Sequence, residues 1–307
     1  MTALIFIDTN ILLDFYRYPQ GSAVLSILKH IDANHDKIIS GNQVEMEFKK
    51  NRQKVIMEAL DSLKGPRWET FKIPVILSEA QPAQIISKSR KEIETQSIKL
   101  QKRIDAVLRN PAQHDDVYQT VQRLFRNNSA LNLTRDNKIR FTIRRLAWKR
   151  FVLGYPPRKP SDTSLGDPIN WEWLIHCAKA TNKNVIIVSR DSDYGYRYGK
   201  EPIINDWLLQ EFKDRVSRKK KVILTNRLTH AFEIAKVTIK PREVSDENKL
   251  INEMTDINKA SASLSQILMQ RLASIDKTEN NDIIRKWIES KWAVADTEGK
   301  SKKTDEE

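Results

Sequence analysis

Two apolar segments of the sequence, residues 3–7 (ALIFI) and 184–189 (NVIIVS), are each followed by acidic residues. Asp8 follows the first segment, and Asp191 and Asp193 follow the second. Continuous apolar runs of this length are typical of strands buried on both faces of a parallel sheet. The carboxyl ends of such strands line the crevice where open α/β sheets bind ligands, so we expect these carboxylates to meet there. Asp8 alone is explained equally well as the cap of a following helix.

A second kind of acidic position lies within a helix that we predict over residues 43–60. Glu45 and Glu47 project about 200° apart around such a helix, so only one of them can face a given site. Val44 and Phe48, four residues apart, mark the apolar face, and Glu47 lies next to that face. We therefore expect Glu47 to join the site, with two ordinary solvated glutamates as the alternative.

A further acid, Asp167, precedes a helix that we predict from Trp171 to Ala180. Asp167 can either cap the first turn of this helix or face a site beside it. The sequence has no HExxH motif or other paired-histidine spacing, and its one cysteine, Cys177, excludes internal disulfides and cysteine-rich zinc sites. A metal site in this chain is therefore expected to use carboxylate oxygens.

The sequence resembles PIN-domain nucleases in three motifs. Their opening motif is similar to IDTNILLDFY, and their second motif is similar to QVEMEF, with Glu47 in the matching place. Their closing Thr/Ser-x-Asp-x-Asp-Phe motif is similar to VSRDSDYG, with Asp191 first and Asp193 second. Arg190 departs from this motif, because a small or amide residue is more usual there. A longer stretch resembles the PIN-like branch of bacterial proteins known as DUF4935, namely GYPPRKPSDTSLGDPINWEWLI.

The resemblance covers about residues 3–60 and 150–236. It implies a PIN-like three-layer α/β fold and a metal-dependent nuclease whose products carry a 5′-phosphate and a 3′-hydroxyl. The segment 82–150 and the residues after 241 match no part of the family pattern.

Several carboxylates around one pocket repel one another and stay ionised together only when divalent cations join them. Oxygen ligands favour Mg²⁺ or Mn²⁺, which can activate water and stabilise the leaving oxygen of a phosphodiester. We expect Asn10 and Ser189 to orient ligands or the attacking water, with satisfaction of nearby backbone groups as the alternative. The expected catalytic residues and metal ligands are Asp8, Glu47, Asp167 and Asp191, with Asp193 as a reserve ligand.

The formal net charge of +13 favours polyanionic partners, nucleic acid first and an anionic membrane surface second. Residues 135–150 hold seven Lys/Arg and one acid along an apolar stripe with helical spacing, so this helix can neutralise several phosphates. A second basic run, residues 213–221, is expected beside the site. A merely solvated charged face is the alternative for both runs. The expected nucleic-acid contacts are Arg140, Arg144, Arg145, Lys149 and Arg190.

The alternation of strand and helix patterns predicts an α/β domain over residues 1–240 with a central, mostly parallel sheet. Residues 82–150 carry almost no strand signal and are expected to form a helical insertion. Residues 241–307 carry a net charge of −3 against about +16 for the preceding residues, and predict a helical C-terminal extension with a disordered end. The predicted strands are 3–7, 37–40, 184–189 and 221–225, and the predicted helices are 22–31, 43–60, 171–180, 203–212 and 228–235.

These features predict a cytoplasmic, metal-dependent endoribonuclease that acts in RNA processing, as a toxin or in phage defence. One alternative is a structure-specific DNA nuclease of the flap-nuclease type. Another is a PIN-like binding module without catalysis, against which the retention of all the acids argues. The C-terminal helices, with Trp287 and Trp292 on or near one apolar stripe, are expected to be covered by the body of the chain, a second copy or another protein. We expect no signal peptide and no membrane span.

Overall fold

A parallel sheet of five strands forms the centre of the first of two compact units, Met1–Asn248. In this computed structural model the described residues are 3–17, 22–62, 73–157, 164–198 and 201–253. The strand order in the sheet is β3-β2-β1-β4-β7, and a separate antiparallel hairpin pairs β5 with β6. The strands are β1 (Ala3–Ile7), β2 (Ile38–Gly41), β3 (Asn132–Leu133), β4 (Asn184–Val188), β5 (Gly195–Tyr198), β6 (Glu201–Ile204) and β7 (Val222–Thr225).

Helices flank this sheet, which confirms the predicted α/β class. The centre of the sheet is covered on both faces, since every residue of β1 and β4 is buried, as expected of parallel strands flanked by helices. The helices are α1 (Thr9–Asp14), α2 (Ser22–Ala33), α3 (Asn42–Ser62), α4 (Gln81–Arg109), α5 (Pro111–His114), α6 (Asp116–Arg126), α7 (Ile139–Val152), α8 (Gly166–Thr181), α9 (Asp206–Arg215) and α10 (Leu228–Ile234).

The direction of strand addition reverses between β1 and β4. From β1 the chain builds outward through β2 and β3 on one side, and then returns to place β4 and β7 on the other side. The register pairs Ile7 with Val188, and the backbone N–H of Asp8 donates to the Val188 carbonyl at 3.0 Å. The carboxyl ends of β1 and β4 therefore lie side by side at the point where open α/β sheets bind ligands.

The predicted helical insertion is only partly an insertion. Within residues 82–150, β3 extends the central sheet by pairing with β2, and α6 packs against α2 and β2. The amphipathic spacing of α6 places Val121 and Leu124 in the core, whereas most of α4 is exposed. The two-residue strand β3 is too short to show a period of its own, so its place in the sheet is set by tertiary pairing.

The predicted helix over 203–212 is also corrected at its start. Residues 203 and 204 belong to strand β6, and the helix begins at Asp206 after the cap residue Asn205. The side chain of Asn205 accepts a hydrogen bond from the backbone N–H of Trp207 at 3.0 Å. This cap fixes the helix start, because it satisfies one of the N–H groups that the first turn leaves open.

The described chain continues in helical conformation from residue 241. The second compact unit, Lys249–Glu307, is described only to residue 253. The predicted tail helices, with Trp287 and Trp292, and the predicted disordered end lie outside the described residues. The domain boundary at residue 240 stays a prediction. Within the described ranges, no helix combines the length and the apolar character needed to cross a membrane.

Candidate active site

Asp8 is the most deeply embedded of the predicted acidic ligands, with 5 % of its surface exposed. It is the N-cap of α1, and its Oδ1 accepts the backbone N–H of Thr9 at 2.7 Å. Its Oδ2 accepts from Asn10 Nδ2 at 2.9 Å and from Ser189 Oγ at 2.6 Å. Asp8 therefore caps a helix and also lies at the junction of β1 and β4, so the two interpretations of this residue are compatible.

The surroundings of Asp8 disfavour its negative charge. Burial is the main cause that raises the pKa of this carboxyl to about 7, and the charges of Asp191 and Glu47 raise it further. The hydrogen bonds from Ser189 and Thr9 oppose this rise but do not cancel it. A buried carboxylate near two other acids is stable as an anion only with a cation beside it.

Glu47 projects from α3 toward the same end of the sheet. Its Oε2 accepts the hydroxyl of Thr9 at 3.0 Å, and its Oε1 accepts the side-chain amide of Gln43 at 2.7 Å. Glu45, on another side of the helix, instead forms an ion pair with Lys49 at 2.6 Å. The two glutamates thus separate around α3, with Glu47 linked to the segment that carries Asp8.

Gly166, the first residue of α8, makes room for the Glu47 carboxylate. A Cβ atom at this position would lie 2.2 Å from Glu47 Oε1 and 3.1 Å from Gln43 Nε2. Asp167 follows in the first turn of α8, where the N-terminal end of a helix favours negative charge. The helix cap is Leu165, so Asp167 lies inside the first turn and does not serve as the cap.

The surroundings of Tyr194 show that several of the acids lie in one region. Its side chain is fully buried, and its hydroxyl has no hydrogen-bond partner among the residues that the structure describes. Burial raises the pKa of Tyr194 well above its ordinary value, and so do nearby negative charges. In order of decreasing effect, these charges belong to Asp167, Asp8, Glu47 and Asp193.

Ser189 connects the two strand ends. Its hydroxyl donates to Asp8 and accepts the backbone N–H of Asp191 at 3.2 Å. Asn10 donates to both Asp8 and Ser189, the latter at 3.2 Å. Asp191 is exposed and Asp193 is buried, so the closing loop presents one acid to solvent and one to the interior.

The acidic residues that the structure describes offer suitable ligands for a divalent ion, but they are not yet gathered into a formed metal site. No three His, Cys, Asp or Glu residues in the described part of the chain are already gathered as a metal site. The donors nevertheless fit one, since they are hard carboxylate oxygens. Asp8 receives three hydrogen bonds and retains about one of its roughly four acceptor positions, on Oδ1.

Arg190 lies beside this site but turns to other acids. Its guanidinium forms ion pairs with Asp14 and with Glu247, the latter at 3.4 Å. Both carboxylates are almost completely buried. Arg190 therefore neutralises two interior acids, and its predicted contact with phosphate stays a prediction.

The basic helix α7 approaches the site from the side of Glu47. Arg140 and Arg144 line a small crevice together with Gln43, which donates to Glu47. Arg145 and Lys149 lie on the same helix, and Lys149 is exposed. The second basic run, residues 213–221, was predicted to lie beside the acids, and this prediction is wrong. The run leads into the amino end of β7, whereas the acids lie at the carboxyl ends of the parallel strands β1 and β4.

The sequence analysis did not identify four residues that support the predicted site: Thr9, Gln43, Gly166 and Tyr194. Their roles depend on contacts between segments distant in the chain. Only the glycine directly before Asp167 offered a signal, since glycine often marks a close approach of the backbone.

Comparison with known proteins places this geometry in a family. A family model described as a PIN domain matches residues 5–194. No match was found among curated proteins, and none among solved structures. PIN domains are generally nucleases. The matched range holds the ends of β1 and β4 and every predicted acidic ligand, and the chain belongs to the PIN-domain family.

Proposed function

We propose that this chain is a divalent-metal-dependent endoribonuclease. The buried, charge-disfavoured Asp8 at the junction of β1 and β4 carries the proposal, because burial and the neighbouring acids raise its pKa to about 7. A bound Mg²⁺ or Mn²⁺ would offset that repulsion. The residues that would hold it are Asp8, Glu47, Asp167 and Asp191, with Asp193 in reserve.

The ion, when bound, supplies an activated water and charge stabilisation for phosphodiester hydrolysis. The residues around the acids set their orientation. Ser189 and Asn10 fix Asp8 Oδ2, which leaves Oδ1 to take a further ligand. Thr9 and Gln43 hold the two oxygens of Glu47.

Tyr194 has a complementary part in this proposal. A tyrosine hydroxyl is protonated at neutral pH, and burial moves the pKa of Tyr194 further from neutrality, so the group is a hydrogen-bond donor. A buried donor without a protein partner is commonly satisfied by an ordered water. The hydroxyl is therefore suited to holding a water beside the carboxylates.

Helix α7 is proposed to bind the phosphate backbone next to the site. Arg140 and Arg144 line a crevice with Gln43, and the Gln43 side chain in turn donates a hydrogen bond to Glu47. Arg145 and Lys149 extend the positive surface along the helix. We also propose Arg190 as a contact to phosphate if its ion pairs open on binding.

The finer assignments belong to the same proposal. They are the DUF4935 branch, supported by the stretch at residues 154–175, a role as a toxin or phage-defence effector, and a cytoplasmic location. The preference for RNA over DNA is proposed and is the first point to test.

The decisive experiment incubates the full chain with labelled single-stranded RNA, single-stranded DNA and flap DNA, in Mn²⁺ or in EDTA. We expect Mn²⁺-dependent cleavage of RNA that Asp191→Asn abolishes. Asp105→Asn, which changes an exposed acid on α4, is the matched control and should cleave normally. Cleavage of flap DNA alone would assign a structure-specific DNA nuclease, and binding without cleavage would assign an inactive module.

A further inference from the structure

The hairpin of β5 and β6 exposes three large side chains on one face, and its register also pairs Tyr198 with Glu201. The exposed fractions of Tyr196 and Tyr198 are 80 % and 79 %, and that of Ile203 is 55 %. The register pairs Tyr196 with Ile203. Since alternate residues of a strand and their cross-strand partners share a face, all three side chains lie on one side of the hairpin. Contiguous exposed patches of large apolar and aromatic side chains often mark a binding site.

The base of the hairpin is anchored at the acidic site. Gly195 follows the buried Tyr194 directly, and the backbone N–H of Asn205 donates to the Tyr194 carbonyl at 2.9 Å. A Cβ atom on Gly195 would lie 2.1 Å from the Ile203 carbonyl oxygen, so the two strands meet too closely for any side chain there. The exposed face therefore starts within two residues of the buried tyrosine among the acids.

We propose that this face stacks the bases of a single-stranded nucleic acid on its way to the acidic site. Tyr196 and Tyr198 are about 6.8 Å apart along the strand, at about 3.4 Å per residue. That separation is twice the roughly 3.4 Å rise between stacked bases, so one base fits between the two rings. Bases in a duplex already stack on each other, and the face thus selects single strands. The inference rests on the proposed nuclease function.

The exposed area favours this ligand over a second copy of the chain. The three side chains offer roughly 400 Å², given about 150–250 Å² for one buried aromatic residue. A stable protein interface needs about 800 Å² from each partner. The net positive charge of the chain also suits a polyanion better than a second, equally charged copy.

The test measures binding in EDTA, so that it does not depend on cleavage. The probes are labelled single-stranded RNA, single-stranded DNA of the same sequence and the corresponding duplex. The full chain with Tyr196→Ala and Tyr198→Ala should bind single strands at least about tenfold more weakly, with duplex binding changed less than about twofold, because stacking on an aromatic ring contributes roughly 1–3 kcal/mol per base. Changing both residues to Phe keeps the rings and should restore affinity. Ile76→Ala, at a residue 90 % exposed, is the control.

The salt dependence separates this face from helix α7. Stacking releases no counterions, so the tyrosine variants should keep the wild-type slope of log K against log salt. Unchanged single-strand affinity, or equal losses for single strands and duplex, would overturn the proposal. Loss of a dimer in light scattering with unchanged oligonucleotide binding would also overturn it, in favour of a second copy. If the tyrosine variants lose single-strand binding as expected and the chain cleaves no substrate, this proposal is retained and the proposed nuclease function is rejected.

Discussion

Replacing Asp8 with asparagine should remove the pH dependence that this residue gives to folding. The carboxyl is buried, and its pKa is raised to about 7 in the folded protein from an ordinary value of 3.8. Folding therefore favours the protonated form. The contribution of the Asp8 carboxyl to the free energy of unfolding is fully present below pH 3.8 and is lost as the pH rises through 7. An asparagine side chain is neutral throughout and has no such dependence.

The size of the effect follows from the pKa difference. A difference of roughly 3 units corresponds to about 4 kcal/mol, at 1.36 kcal/mol per unit. About 3 kcal/mol of this falls between about pH 5 and pH 8, where the unfolded carboxyl is ionised and the folded one titrates. Over that range the free energy of unfolding of Asp8→Asn should rise by this amount relative to the wild type.

The hydrogen bonds of Asp8 change the absolute stability but not its slope with pH. Asp8 accepts from Thr9, Asn10 and Ser189, and an amide group can replace only one of the two accepting oxygens. The lost acceptor costs about 1–3 kcal/mol at every pH. The change in the difference between the two proteins, and not the difference at one pH, is therefore the quantity to measure.

Urea unfolding in EDTA at several pH values between about 5 and 8 measures this change. The wild type, Asp8→Asn and the surface control Asp105→Asn are compared under identical conditions. Parallel curves for the wild type and Asp8→Asn would refute the reasoning, because they would show that Asp8 titrates alike in both states. Added Mn²⁺ should stabilise the wild type at about pH 8 and have much less effect on Asp8→Asn.

Three further predictions concern the surroundings of the acids. Arg144→Ala with Arg145→Ala should weaken RNA binding and make the salt slope shallower by about 1.4, at about 0.7 for each lost phosphate contact; an unchanged slope would place these arginines away from the backbone. Gly166→Ala should lower cleavage with little change in melting temperature, because the atoms that must shift are the ends of side chains, chiefly the Glu47 carboxylate and to a smaller extent the Gln43 amide; full activity would show that the position of this carboxylate is unimportant. A chain ending at residue 240 should melt at lower temperature than one ending at 253, since it loses the buried Glu247; equal melting temperatures would contradict this.

The central sheet and its acidic edge could be predicted because their signals are local. The buried strands β1 and β4 are continuous apolar runs, and each is followed within three residues by an acid. Glu47 was separated from Glu45 by helical geometry and by the apolar face of the helix, and the structure links Glu47 to Thr9 and Glu45 to Lys49. Where period and burial coincide in this way, the sequence determines the element.

The hairpin and the third strand could not be predicted in the same way. Strand β3 has two residues and pairs with β2, against which α6 also packs. Strands β5 and β6 have four residues each, and in β5 only Gly195 is buried. The large side chains of Tyr196, Tyr198 and Ile203 face solvent, so a pattern that assumes apolar residues inside assigns Ile203 to the following helix.

Arg190 shows why a departure from a family motif can be structural. Its guanidinium pairs with Asp14 and Glu247, and removing one member of such a buried pair commonly costs about 3–5 kcal/mol. Glu247 also accepts the backbone N–H groups of Leu228 and Thr229, at 2.6 and 2.9 Å, at the start of α10. One carboxylate thus joins the loop after β4 to the helix after β7. Because Asp191 adjoins Arg190 in that loop, residues beyond the matched PIN range help to fix the acidic edge.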